Sequence, residues 1–291
     1  MADKGFKTIE EQLEILRSRG LTINDELKAK DFLLHNNYYR ISGYSLTLRK
    51  NDVFSKFATF QNIVDIYNFD HELRHIILQY LEVIEVQMKS VYVYEFTKVH
   101  GPIGYLDESY FTNNTIHKEI IDKANQQKIR RLPHEAYLKH FINDLHQDIP
   151  LWAFVDLFTI SDISFLYSIS EQPIKDAVAD TFGLTMNKGA SILESYMHSM
   201  TIIRNLCAHG SRNRLFEQKP SLNKKEKALL IKNNKGEIDN AHFYGFLLIM
   251  KRMLPADKFN EMKEAIIALT KKYPFVRMDY YGFRSDWQQK L

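Results

Sequence analysis

The run from Phe60 to His100 contains neither proline nor glycine, and this feature limits the possible folds more than any other. Apolar side chains recur along the run at the spacing of one helix face. They are Ile66, Leu73, Ile77, Tyr80, Ile84 and Met88. Gly101 and Pro102 follow, and both residue types interrupt helices. The run therefore predicts one long central helix.

The rest of the chain also favours helices. Its 291 residues include only 11 glycines and 7 prolines, too few for the many tight turns of an all-β protein. Thr8 and Glu11 have capping-box spacing, which predicts the start of a helix that ends at Gly20. Further helices are predicted at about 25–35, 114–130, 134–147, 151–158, 161–170, 173–181, 186–209, 240–253 and 257–272.

The predicted fold is all-α. Asparagines and a glycine break the helical period at 36–44, so we expect a turn there. We expect residues 1–58 to form a helical segment packed on a main helical domain of residues 59–291. The tail beyond residue 220, with Lys224-Lys225-Glu226-Lys227, is expected to form helices with solvated charged faces.

Charge and cysteine content limit the classes of protein to which this chain can belong. A net charge of +3 and a pI near 8.6 permit nucleic-acid binding without demonstrating it. Cys207 is the single cysteine, which excludes a disulfide framework and a cysteine-based zinc cluster. No run of about 18 apolar residues occurs, and the N-terminus is charged where a signal peptide would be apolar. We therefore expect a soluble, cytoplasmic protein that makes no membrane contact.

The helix predicted near 186–209 has one apolar face, and a cation lies inside its edge. The face comprises Ile192, Leu193, Tyr196, Met200, Ile203 and Cys207, and the cysteine is expected to be buried and inert. Arg204 lies at the edge of this face. A guanidinium cannot be neutralised and is costly to desolvate alone. Arg204 must therefore meet an acid, a partner chain or a cleft that receives anions.

Two polar side chains accompany this arginine. Asn205 and His209 are an i,i+4 pair on the flanking polar face, together with His198. A fixed cation beside a group that carries protons near neutral pH suits the cleavage of a phosphodiester. The structural alternative is that Arg204 pairs with a core acid and His209 only caps helix carbonyls.

Four sequence blocks carry a family resemblance. They are Asn37-Tyr38-Tyr39-Arg40-Ile41-Ser42-Gly43-Tyr44, Phe69-Asp70-His71-Glu72-Leu73-Arg74, Pro150-Leu151-Trp152 and Arg204-Asn205-Leu206-Cys207-Ala208-His209. In their order they resemble the AbiD/AbiF-like abortive-infection proteins, a branch of the HEPN superfamily. The resemblance spans about residues 35–215, and Arg212 corresponds to a further arginine of the family pattern.

The resemblance implies a HEPN-like helical bundle with additional N- and C-terminal helices. It also implies an antiphage, toxin-like endoribonuclease that needs neither metal nor cofactor. HEPN units usually pair so that two Arg-His sets face one cleft. One set is present in this chain, so a homodimer is expected. RNA is the expected partner, both as substrate and as a structured small RNA.

The resemblance also implies roles for the site residues. His209 would act as general base toward a ribose 2′-hydroxyl or as acid toward the leaving 5′-oxygen, while Arg204 stabilises the phosphate charge. Asn205 would orient His209 or a phosphate oxygen. The products would carry 2′,3′-cyclic phosphate and 5′-hydroxyl ends.

Two other interpretations stay open. In the first, the chain is a non-cleaving regulatory protein in which Arg204 and His209 hold a structured RNA or a partner helix. In the second, His71-Glu72-Leu73-Arg74-His75 is the HExxH pattern of a zinc protease. The second is disfavoured because both histidines point onto a polar stripe and no third ligand is identifiable. We therefore expect no metal site.

Several cations and aromatic residues are candidates for RNA contacts. Arg130 and Arg131, beside Lys128, and Arg212 and Arg214 are candidates for phosphate contacts. Tyr39 and Arg40, with Tyr38 and Tyr44, could stack unpaired bases. The alternative for these tyrosines is inward packing in a turn. Trp152 is expected to be a core residue.

Overall fold

The run without proline or glycine forms one helix, Phe60–His100, as predicted. The structure is a computed structural model that describes residues 5–185, 188–210, 222, 224–232, 236–239 and 241–291. Its described residues form two compact units. The first comprises residues 5–75 and 265–278, and the second comprises the described residues of 76–264 together with 279–291. The predicted boundary near residue 58 stays a prediction.

The first unit is built from short helices and a hairpin. Its elements are α1 (Ile9–Ser18), α2 (Glu26–Asn36), α3 (Tyr38–Tyr44), β1 (Arg49–Lys50), β2 (Val53–Phe54), the first part of α4 (Phe60–His100) and the last part of α13 (Ala256–Lys272). The capping box is present, because the Thr8 hydroxyl accepts a hydrogen bond from the Glu11 N–H and the Glu11 carboxylate accepts one from the Thr8 N–H. β1 and β2 pair antiparallel.

The second unit holds the remainder of α4 and most other helices. They are α5 (Asn114–Arg131), α6 (Ala136–Lys139), α7 (Leu151–Phe154), α8 (Ile160–Ile169), α9 (Gln172–Thr181), α10 (Gly189–Ala208), α11 (Lys224–Lys227), α12 (Phe243–Met253), the first part of α13 and α14 (Trp287–Lys290). α10 packs against α8, α9 and α12. The Tyr167 hydroxyl of α8 donates to the carbonyl of Ala190 on α10, 3.1 Å away.

The prediction of an all-α fold is confirmed. Within the described ranges, the only named sheet is the β1–β2 hairpin. Across those same ranges, no helix combines the length and apolar character needed to cross a membrane.

Three predicted segments differ from the observed elements. Residues 38–44 are helical instead of forming a turn, because the break is confined to Asn37, whose backbone has a φ of 60° and whose side chain accepts from the Tyr39 N–H. The segment predicted at 134–147 forms α6 and then a π-helical turn, His140–Asp144. The segment predicted at 151–158 divides into α7 and a 3₁₀ turn, Val155–Leu157.

The charged face of the lysine-rich tail helix was expected to be solvated, and this expectation is wrong for Glu226. This side chain is buried, and its carboxylate accepts from the Tyr196 hydroxyl at 3.0 Å and from Arg252 Nε at 2.7 Å. The three residues lie on α11, α10 and α12, so the carboxylate fastens the short helix α11 to the core of the second unit.

Candidate functional site

Helix α10 places Arg204 at the edge of the core. Leu193, Tyr196, Met200, Ile203 and Cys207 are buried, as the apolar face predicted. Arg204 is half-buried, and its Nη1 donates to Asn205 Oδ1 over 3.3 Å. No carboxylate of the described residues lies within ion-pair distance of its guanidinium. Three surroundings were predicted for Arg204: an acid, a partner chain or a cleft that receives anions. The described residues do not provide the first of them.

Arg204 instead lines a cleft of about 820 Å³ in the second unit. Two adjacent rows of α4 side chains supply most of the lining. They are Leu78, Leu81, Glu82, Glu85, Val86, Lys89, Ser90, Val93, Tyr94 and Thr97. Trp152, Val155 and Asp156 complete it. The cleft therefore combines apolar side chains with groups of both charges.

The charges of the cleft are unevenly paired. Lys89 Nζ lies 3.0 Å from Glu85 Oε1, one helical turn away on α4. Glu82 and Asp156 are exposed, and neither carboxylate forms an ion pair within the described ranges. Of the two cations that line the cleft, Lys89 therefore has a carboxylate within ion-pair distance among the described residues and Arg204 does not.

His209 lies at the end of the same helix. Its backbone N–H donates to the carbonyl of Asn205 at 3.0 Å, and Gly210 follows with a φ of 69°. The imidazole is exposed and does not line the cleft. The structure thus brings Arg204 and Asn205 into side-chain contact, while Asn205 meets His209 through its backbone. The catalytic roles of all three stay predictions.

The prediction that Trp152 is a core residue is wrong. The residue is 58% exposed, because Leu151 and Phe154 fill the core side of the single-turn helix α7 and the indole lies outside it. Trp152 lines the cleft and also a neighbouring cavity of about 540 Å³. The rest of that cavity is lined by Pro102, Ile103, Phe141, His146, Gln147, Asp148 and Pro150.

Arg130 and Arg131 differ in their surroundings. Arg130 is exposed at the end of α5. Arg131 donates through Nη2 to Glu135 Oε1 at 2.7 Å and through Nη1 to the carbonyl of Asp156 at 2.8 Å. The hydrogen bond that Arg131 donates to Glu135 raises the pKa of Arg131 above its ordinary value. Arg131 therefore anchors the turn that carries Asp156. A contact between Arg131 and RNA stays a prediction.

Tyr39 and Arg40 lie in the first unit. Tyr39 is 88% exposed, and the Arg40 guanidinium lies 5.6 Å from the centroid of the Tyr67 ring. Tyr44 is buried and its hydroxyl donates to Asp70 Oδ2 at 2.7 Å, so this tyrosine packs inward. Arg212 and Arg214, also predicted to contact RNA, lie outside the described residues.

The HExxH pattern lies on α4 in the first unit. His71 and His75 are exposed, as the polar stripe predicted. Glu72 occupies the position that the catalytic base would have in a zinc protease. Here it accepts hydrogen bonds from Lys272 Nζ at 2.7 Å and from the Tyr273 hydroxyl at 2.6 Å. Among the described residues, no group of three or more His, Cys, Asp or Glu side chains could hold a metal ion.

Asp156 is the cleft residue that sequence reasoning missed. It is the only charged residue in the otherwise apolar segment 151–158. It also stands four residues after Trp152, so the two side chains can share one side of a helical turn. A lone acid in an apolar segment was the available signal, and it points to a polar opening beside the core.

The model of the family described as "Abi-like protein" matches residues 31–216, which is more than half of the chain and includes all four sequence blocks. Comparisons with curated proteins and with solved structures gave no match.

Proposed function

Because the chain belongs to the Abi-like protein family, we propose that it defends against phage by abortive infection, as a metal-independent HEPN endoribonuclease. The family match supports abortive infection as the class of function. One observation supports the ribonuclease activity: Arg204 lines the cleft, and no carboxylate of the described residues forms an ion pair with it. A cation held in this way is suited to a phosphate group.

The proposed reaction needs one cation and a proton carrier. His209 takes the proton of a ribose 2′-hydroxyl, whose oxygen attacks the adjacent phosphorus. The bond between phosphorus and the 5′-oxygen breaks, and a proton from an imidazolium reaches that leaving oxygen. Arg204 stabilises the negative charge that develops on the phosphate. The products carry a 2′,3′-cyclic phosphate and a 5′-hydroxyl.

The proposed site is completed by a second copy of the chain. His209 is exposed at the end of α10 and does not line the cleft of its own chain. Two copies would supply two histidines, so that one accepts a proton while the other donates one. Sedimentation equilibrium should therefore give twice the chain mass of 34.3 kDa. A monomer at the concentrations that cleave RNA would contradict this part of the proposal.

The activity is tested with total cellular RNA in the presence of EDTA. The purified chain is compared with Arg204→Ala and His209→Ala, and the ends of the products are mapped. Removing a general acid or base typically lowers a rate by about 10²–10⁴-fold, and we expect a loss of this size for His209→Ala. His198→Ala is the matched control, because His198 is an exposed histidine of the same helix α10.

The outcomes separate the two candidate functions. Cleavage by the unaltered chain and by His198→Ala, with cyclic-phosphate ends, supports the endoribonuclease. Ends with a 3′-hydroxyl, or cleavage that EDTA abolishes, contradict the mechanism. RNA binding that His209→Ala weakens, with no cleavage by any variant, supports the non-cleaving RNA-binding protein instead.

A further inference from the structure

Trp152 presents an aromatic surface to the cleft. More than half of its side chain is exposed, although its neighbours Leu151 and Phe154 are buried. Tyr94, a second aromatic residue of the same cleft, is 65% exposed. Exposed aromatic rings in a cleft are stacking platforms for unpaired bases, since every base has a π-face. The cleft thus offers a base a planar surface next to the proposed phosphate site.

Asp156 is held in place beside that platform. It lies on the 3₁₀ turn Val155–Leu157, and Arg131 fixes the carbonyl of Asp156 through a 2.8 Å hydrogen bond. Arg131 is itself held by Glu135, so the turn is anchored at two points. The Asp156 carboxylate lines the cleft and accepts no hydrogen bond from another described residue. It is therefore available to accept hydrogen bonds from a ligand.

The charges of the cleft decide which part of RNA fits beside Asp156. Neither Glu82 nor Asp156 forms an ion pair with another described residue, although the charges of Asp156 and Arg131 interact at longer range, and Glu85 is paired with Lys89. A phosphate backbone laid along this lining would meet repulsion from both carboxylates. Hydrogen-bond donors of a base edge would be attracted to them. The phosphate is therefore best placed at Arg204 and the base edge at the carboxylates.

We infer that the cleft holds an unpaired guanine of the RNA, stacked on Trp152 with its Watson–Crick edge on Asp156. The inference rests on the proposed function, which places the neighbouring phosphate at Arg204. Guanine presents two donors, N1–H and N2–H₂, side by side, and a carboxylate has two oxygens that accept them together. Adenine, cytosine and uracil each present a single donor group on this edge. The preferred substrate is therefore single-stranded RNA with guanine at the site.

Intrinsic fluorescence reports stacking without requiring cleavage. The chain has two tryptophans, and Trp287 is buried while Trp152 is exposed. The probe is a 2′-O-methyl pentanucleotide, UUGUU, which lacks the attacking hydroxyl and cannot be cleaved by the proposed reaction. We expect it to quench the fluorescence of Trp152. UUAUU, UUCUU and UUUUU should bind about tenfold more weakly, the discrimination typical of a bidentate contact to a base.

Three variants and one control assign the roles. Affinities are measured by the anisotropy of a labelled pentanucleotide, so that they do not depend on tryptophan. Trp152→Ala should weaken UUGUU binding about tenfold, because it removes one stacking contact, and Trp152→Phe should restore most of the affinity. Asp156→Asn should remove the preference for guanine. Phe165→Ala, a change at an exposed aromatic residue that does not line the cleft, should leave binding unchanged.

The outcomes separate this inference from the proposed function. Equal affinity for the four pentanucleotides, or no binding and no quenching by any of them, overturns the guanine site. If RNA is still cleaved in EDTA with dependence on Arg204 and His209, the endoribonuclease stands without it. Guanine-dependent quenching by a chain that never cleaves RNA supports the guanine site and overturns the proposed function.

Discussion

Two arginines on long helices of this chain have opposite surroundings. In the first unit, Arg74 on α4 is almost fully buried, and its Nη1 contacts the carboxylate of Asp70 and lies 3.2 Å from the Tyr44 hydroxyl. In the second unit, Arg204 on α10 is half-buried in a cleft and contacts the Asn205 side chain. The guanidinium is the same in both places, and the difference is whether a carboxylate lies beside it.

The comparison shows how burial and pairing separate a structural cation from a functional one. A buried guanidinium is tolerated only with a charged partner, and Asp70, which is completely buried, provides it. Burial and the charge of Asp70 both raise the pKa of Tyr44, so its hydroxyl keeps its proton and donates a hydrogen bond to the carboxylate. Arg204 faces a cleft without such a network, so its positive charge is available to an anion.

The largest effect is expected from the change Asp70→Asn. It removes the charge of Asp70 from beside the buried Arg74 guanidinium, and arginine cannot lose its proton to compensate. We expect the free energy of unfolding to fall by about 3–5 kcal/mol, the usual cost of removing one partner of a buried ion pair. Urea unfolding followed by circular dichroism measures the change.

Arg204→Met provides the contrasting measurement. Because the described residues give Arg204 no carboxylate to leave behind, we expect its unfolding free energy to stay within about 0.5 kcal/mol of the unaltered chain. RNA cleavage should be lost in the same variant. If Arg204→Met destabilises the chain as much as Asp70→Asn does, Arg204 has a structural role and the comparison fails.

The outcome for these two arginines shows what the sequence could predict. The capping box at Thr8 and the apolar spacing of 60–100 are local patterns, so they predicted helices that the structure contains. The apolar spacing of the helix predicted at 186–209 likewise identified Arg204 as a cation at the edge of an apolar face. It did not tell whether an acid, a partner chain or a cleft lies beside that cation. The choice among them depends on α4 and α7, which are distant in sequence from α10 and meet it only in the folded chain.

The errors have the same physical origin. Trp152 was expected in the core because the segment 151–158 is apolar on nearly all sides, and such a segment carries no periodicity that tells which side chains face inward. Glu226 was expected in solvent because charged residues are rarely buried unless they are paired. Its partners, Tyr196 and Arg252, come from other helices. Tertiary pairing cannot be read from local spacing.

An intermediate effect is expected from Tyr44→Phe, which tests the neutral member of the buried network. The change removes the hydroxyl that donates to Asp70 and lies beside Arg74, while the ring can still fill the same space. A hydrogen bond to a charged group contributes about 1.5–3 kcal/mol, so we expect a loss of about 2 kcal/mol in urea unfolding. Tyr39→Phe, at an exposed position in the same sequence block, should change stability by less than about 0.5 kcal/mol. Equal effects of the two changes would show that the hydroxyl of Tyr44 adds nothing to the network.

The smallest effect is expected from the exposed ion pair on the same helix as Arg74. Burial opposes ionisation of Glu72, but hydrogen bonds from Lys272 and Tyr273 lower its pKa below the ordinary value of 4.5. The folded chain therefore favours the carboxylate. The stability that it contributes is complete above the unfolded pKa and is lost as the pH falls through the lower folded pKa.

Glu72→Gln should thus cost less than about 1 kcal/mol at neutral pH, since partly exposed pairs contribute little. The variant should approach the stability of the unaltered chain as the pH falls below 4.5 and then through the lowered pKa of the folded Glu72, where this carboxylate becomes protonated in the folded chain as well. Glu119→Gln, at an exposed position without an ion pair among the described residues, serves as the control and should change the stability at neutral pH by less than about 0.5 kcal/mol. A Glu72→Gln deficit that persists unchanged into acid would mean that the carboxylate acts through packing. In that case, the contrast between buried and exposed charges would hold for the arginines but not for the acids of this helix.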